Sequence, residues 1–203
     1  MKIVNNNIYI TRGETDTYKS RIIDKATGAP FVLPKISVTG EEITKFLVQF
    51  TVRKSEYSRD DADIRKFLWL RGFTDTNDEN QYDGSNDIAM LDKTTWIEYP
   101  GDYWGDTGDV FVPEINVLYR RKTELGLYDY AYYDGSKWVP YTFSMSFPFL
   151  YTDTAELAPK AYKYSMTLYG GNNLSITSDG LTGIDYKKPL VSAQFIVEAD
   201  TND

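Results

Sequence analysis

The stretch Phe46-Leu47-Val48-Gln49-Phe50-Thr51-Val52-Arg53 decides how this chain reads. Phe46, Val48, Phe50 and Val52 occupy alternate positions, which places them on one face of a β-strand. Toward the N-terminus the same chemistry recurs in shorter pieces. Ile8-Tyr9-Ile10-Thr11 is a β-branched and aromatic run broken at Gly13. Thr17 to Ile23 is a second extended run. Asp24-Lys25-Ala26-Thr27-Gly28-Ala29-Pro30 reads as a turn, with an acidic start, a Gly and a Pro. Phe31-Val32-Leu33 follows, and Pro34 closes it.

Toward the C-terminus, residues 56–73 allow two readings. Ser58-Arg59-Asp60-Asp61 resembles a helix cap, whereas Ile64 to Leu70 suits a strand. The β character of the neighbours favours the strand. Residues 74–87 form a polar loop with almost nothing to bury, expected to be mobile in isolation. Trp96-Ile97-Glu98-Tyr99 and Val110-Phe111-Val112 read as short strands. Leu127 to Tyr133 and Lys137 to Tyr141 flank Asp134-Gly135-Ser136, a hairpin signal. Tyr162 to Tyr169 alternates, Gly170-Gly171-Asn172-Asn173 is a turn, and Leu190 to Val197 is a last strand. Closely spaced strands with turn chemistry between them predict an all-β chain, an antiparallel immunoglobulin-like β-sandwich with a large β-rich insertion. The expected division is a discontinuous sandwich of residues 1–55 and 156–203, with an aromatic-rich insertion at 56–155.

Composition limits the chemistry. The chain has 203 residues, with no Cys and no His. A disulfide, a thiolate zinc site, a Ser-His-Asp triad and a Cys nucleophile are therefore excluded. The net charge of -8 repels a phosphate backbone. Arg120-Arg121-Lys122 is the strongest basic run and reads as a solvated loop or strand end, so no nucleic-acid partner is expected. The first residues lack an apolar signal region, and no apolar run approaches the ~20 residues of a membrane span. Synthesis in a cytoplasm, without membrane attachment, is the expectation. Aromatic residues make up 15% of the chain and 17 are Tyr, a composition that suits strands and interfaces.

Both ends of the chain resemble the small β-sandwich domains of phage baseplate upper proteins. Ile8-Tyr9-Ile10-Thr11-Arg12-Gly13-Glu14-Thr15 is similar to that family's opening strand and Arg-Gly-Asp-Thr turn, with Glu14 where Asp is common. Asp24 to Gly28, Val32-Leu33 and Phe50-Thr51-Val52-Arg53-Lys54 resemble the acidic turn, the hydrophobic pair and the strand that follow. Tyr162 to Leu168, with Ser165 in place of Asp, and Ala193-Gln194-Phe195-Ile196-Val197 resemble the closing half. The likeness covers about residues 5–55 and 160–200 and leaves the middle uncovered. It implies a non-enzymatic virion structural protein, a tail, baseplate or tail-adaptor component made in a bacterial cytoplasm. Its partners would be other virion proteins and copies of itself.

Three residue groups are candidates for chemistry. Asp102, Asp106 and Asp109 share a Gly-rich loop with Tyr103 and Trp104. A glycosidase needs two carboxylates flanking a sugar, but Asp and Gly are also what acidic turns use, and the turn is favoured. Asp75, Asn77, Glu79 and Asp83-Gly84 offer oxygen ligands but break the EF-hand order at Asn80, so a solvated loop is favoured over calcium. Tyr128, Tyr130, Tyr132, Tyr133, Trp138 and Tyr141 crowd one hairpin, with Tyr128, Tyr130 and Tyr132 on one face and Tyr133 on the other. With Tyr103 and Trp104 they are the expected partner contacts, core or subunit interface being favoured over sugar. The alternative reading is a carbohydrate-binding, receptor-binding module that takes a host-surface glycan. Neither catalytic residues, nor a metal, nor a cofactor is expected.

Overall fold

A computed structural model describes residues 1–23, 29–54, 62–72, 80–83, 96–106, 111–178 and 180–200. The chain is all-β, and its one helix among these residues is five residues long. The strands begin with β1 (Lys2–Val4), β2 (Asn7–Thr11), β3 (Asp16–Arg21), β4 (Ser37–Val38), β5 (Glu41–Glu42) and β6 (Phe46–Arg53). Then come β7 (Ile64–Arg71), β8 (Gln81–Asp83), β9 (Ile97–Glu98), β10 (Leu118–Lys122), β11 (Tyr128–Tyr133), β12 (Trp138–Pro140) and β13 (Ser144–Phe149). Helix α1 (Tyr151–Ala155) precedes β14 (Lys160–Gly170), β15 (Ser175–Thr177), β16 (Gly180–Thr182) and β17 (Tyr186–Glu198). Two compact units result. One comprises Met1–Lys19, Val38–Ser85 and Ser146–Asp203; the other comprises Ser20–Ser37 and Asn86–Met145.

The first unit is built on a seven-stranded sheet in the order β1-β2-β17-β14-β6-β7-β8. The sheet is mixed, because β2 runs parallel to β17 and β8 parallel to β7, while the other pairs are antiparallel. β7 pairs with β6 from Ile64↔Val52 to Arg71↔Phe46, as the strand reading of 64–70 requires. Phe46, Val48, Phe50 and Val52 are all fully buried on one face. The register sets Tyr164, Met166 and Leu168 beside them, and then Phe195 and Ile8. Phe50 is the hub of this core, with ring centroids of Tyr18, Phe147, Phe149 and Tyr164 at 5.9, 5.3, 5.4 and 5.2 Å. Tyr18 comes from β3 and the two Phe from β13, strands that pair with each other in a two-stranded sheet. The opposite face is buried as well around Leu47, Phe67, Trp69 and Tyr169. Leu174 and the β15–β16 hairpin cover it through Ile176 and Leu181. Simple alternation along 46–53 does not reveal this second core.

Several elements depart from the sequence reading. β1 and β2 form a hairpin closed by Asn5-Asn6, both at positive φ (50° and 65°), the geometry of a two-residue primed turn. Within 74–87, Gln81–Asp83 is a strand; residues 74–79 and 84–87 lie outside the described residues. Phe111 and Val112 belong to no strand, and Val110 lies outside the described residues. Phe31 and Leu33 are buried without joining a strand. The last strand starts at Tyr186, earlier than Leu190, and bulges where Met166 and Thr167 face Val191 and Pro189. Proline has no N–H for the ladder, and a bulge is where a strand tolerates it.

Helix α1 fastens the first unit internally. Asp153 accepts the Leu150 N–H at 2.6 Å, and Thr154 Oγ1 accepts the Gly13 N–H at 3.0 Å. Asp153 also pairs at 2.7 Å with Lys66, whose side chain is 1% exposed in the main core. The Lys66 ammonium donates to the Tyr82 hydroxyl at 3.3 Å and lies 5.4 Å from the Phe149 ring centre. A buried ammonium is tolerated only when it is paired in this way.

Candidate functional site

The second unit carries the aromatic cluster. Its sheet has the order β12-β11-β10-β9. β11 and β12 form the hairpin expected around Asp134-Gly135-Ser136, with Tyr133 opposite Trp138. The turn is locked by Asp134 Oδ1, which accepts from the Ser136 N–H at 2.8 Å and the Lys137 N–H at 2.9 Å. These two backbone donors, Lys137 foremost, hold the Asp134 carboxyl below its ordinary value of 3.8.

One face of this sheet is packed with rings. Trp138 sits among Tyr99, Trp104, Tyr119 and Tyr133 at centroid distances of 5.0, 4.9, 5.4 and 5.7 Å. Phe111, off the sheet, joins through Tyr99 and Tyr119 at 5.4 and 5.5 Å. Edge-on and tilted rings at these distances add to the burial of their surface. Tyr130 and Tyr141 are buried, Tyr132 and Tyr133 half-buried, and Tyr128 and Tyr103 exposed. The structure thus brings Trp104, Tyr133 and Trp138 together and sets Tyr128, Tyr130 and Tyr132 on the other face. The buried Tyr141 hydroxyl has no hydrogen-bond partner among the described residues, and burial pushes its pKa up.

Arg120-Arg121-Lys122 is the end of β10, and its two arginines lie on opposite faces as strand alternation requires. The Arg120 guanidinium lies between Trp96 and Tyr128, 4.9 and 4.1 Å from their ring centres, and pairs with Glu98. Arg121 lies against Tyr103 and Trp104 at 5.6 and 5.4 Å and pairs with Asp129 at 3.2 Å. Guanidinium groups at these distances are attracted to the electron-rich ring faces. These contacts depend on cross-strand register, which residue type alone does not encode.

The 99–106 loop is tightly tied. Gly105 N–H donates to the Tyr99 hydroxyl at 2.8 Å, Tyr103 N–H donates to Asp106 at 2.8 Å, and Trp104 Nε1–H donates to Asp129 at 3.0 Å. Arg121 also donates to the Asp102 carbonyl. Asp106 therefore helps to hold the loop. Asp109 lies outside the described residues, as do Asp75, Asn77, Glu79 and Gly84 of the calcium candidate. At the outer end of the loop Asp102, Tyr103, Lys122, Thr123 and Glu124 line an open depression of about 370 Å³. The Tyr103 hydroxyl donates to Glu124, and that bond raises the phenol pKa.

Fold and site together define an all-β protein with an aromatic sheet carried on a separate compact unit. Comparison with known proteins gives no match to a family model, to a curated protein or to a solved structure.

Proposed function

We propose that this chain is a non-enzymatic structural component of a bacteriophage virion, in the tail, baseplate or tail adaptor. It works by protein–protein assembly with other virion proteins and with copies of itself. One observation carries the assembly part. Nine of the fourteen exposed large apolar side chains among the described residues belong to the second unit, including Trp96, Ile97, Val112, Leu125 and Tyr128. Exposed apolar side chains that fall mostly on one unit, with aromatic and arginine side chains among them, are of the kind protein interfaces use. The virion part rests on the resemblance of residues 5–55 and 160–200 to baseplate upper proteins.

In this reading the first unit is an immunoglobulin-like sandwich that docks on the tail, and the aromatic unit meets a neighbouring copy or protein. Virion parts repeat by symmetry, so the chain acts in multiple copies. Immunogold labelling of tailed particles from cells that make the chain tests the assignment. Label at a fixed position on the tail is the expected result. Particles free of the chain, together with a purified protein that stays monomeric, would overturn it.

A further inference from the structure

The depression at the outer end of the 99–106 loop has features that an assembly surface does not require. Its volume, about 370 Å³, lies in the range of small-molecule sites, roughly 300–1,000 Å³. Tyr103 lines it and is 55% exposed, although the residue is fixed at three points. The backbone N–H is held by Asp106, the hydroxyl by Glu124, and the ring lies against Arg121. Arg121 is itself anchored by Asp129 and by the Asp102 carbonyl. An immobilised ring costs a ligand little ordering entropy. The rim offers both hydrogen-bonding senses, with carboxylate acceptors on Asp102 and Glu124 and an ammonium donor on Lys122.

We infer that this depression is a saccharide subsite, with a sugar ring lying on Tyr103 and its hydroxyls bonded to Asp102, Glu124 and Lys122. A sugar ring presents a C–H face to an aromatic plane and hydroxyls that both donate and accept at its edge, which matches this lining. A divalent cation or a free ammonium would meet Lys122 at the rim. An anionic sugar would meet two carboxylates against one ammonium. The ligand class is therefore a neutral saccharide. The site is distinct from the hairpin face, where Tyr130 is buried and Trp138 is packed among other rings. The inference is independent of the virion assignment, because it is read by ligand binding to the isolated chain.

Amide NMR titration of the whole chain with glucose, galactose, mannose and N-acetylglucosamine is the test. At least one of these should shift the signals of Tyr103, Thr123 and Glu124. Tyr103→Ala should weaken that response by about tenfold or more. The Asp102→Asn/Glu124→Gln double variant should do the same, and it carries the test if Tyr103→Ala fails to fold. Tyr151→Ala, an exposed tyrosine of the other unit, should leave the response unchanged. Three results would each overturn the inference. They are no shift at these residues with any of the four sugars, a response to calcium chloride or glucuronate equal to that of the best sugar, or undiminished binding in the double variant.

Discussion

Tyr141 and Asp134 show how single polar groups act in the aromatic unit. The Tyr141 hydroxyl is buried without a hydrogen-bond partner among the described residues, so its desolvation is uncompensated by them. Tyr141→Phe keeps the ring and removes that penalty. Urea unfolding should show a gain of about 1 kcal/mol; a loss would mean that the hydroxyl is satisfied in solution. Asp134 is a surface group with a different lesson. Its folded pKa lies below its unfolded value, so the turn's contribution is complete above 3.8 and fades as pH falls through the lowered value. The amide signals of Ser136 and Lys137 should follow that acid transition by NMR. In Asp134→Asn they should stay still over the same range.

Among the elements, α1 and the β15–β16 hairpin are the ones that depend most on their fastenings. Asp153→Ala would leave the Lys66 ammonium in the core without its carboxylate. That loss should cost about 3–5 kcal/mol in urea unfolding. Replacing both partners, as Lys66→Met with Asp153→Leu, should cost clearly less, because no uncompensated charge remains. Gly183 sets the hairpin's approach to the sheet. It holds φ +67°, and a Cβ there would lie 2.1 Å from the Asn173 carbonyl oxygen. Gly183→Ala should therefore destabilise by about 2 kcal/mol or more and expose Trp69, read by its fluorescence. Strands with a repeating apolar face, β6 and β14, were legible in the sequence because burial on one face imposes alternation. β1 and β8 were not, since a short edge strand buries little and leaves no such pattern. Helix α1 was missed for a related reason: its cap is a backbone N–H held by Asp153, with Leu150 at the position where Ser, Thr, Asp or Asn would signal a start. At the site, Tyr103 and Trp104 stood out by type. The arginines that brace them did not, because Arg121 reaches Asp129 only through the β10–β11 register.

At the scale of the whole molecule, the two units differ in what they expose. If the aromatic unit meets copies of the chain, Val112→Glu with Leu125→Glu should abolish self-association in sedimentation velocity while leaving the far-ultraviolet circular dichroism unchanged. Both residues are more than four-fifths exposed, so the fold has no stake in them. The order β1-β2-β17-β14-β6-β7-β8 carries a separate consequence. β2 (Asn7–Thr11) is made long before β17 (Tyr186–Glu198), yet within the sheet its neighbour on the side toward β6 is β17. While translation is under way, the early hairpin has no sheet to join, and its apolar side chains depend on chaperones or on luck. Ribosomes halted before Tyr186 should hold a chain that proteases cut readily in the β1–β2 hairpin, and synthesis through Glu198 should close that vulnerability in a single step.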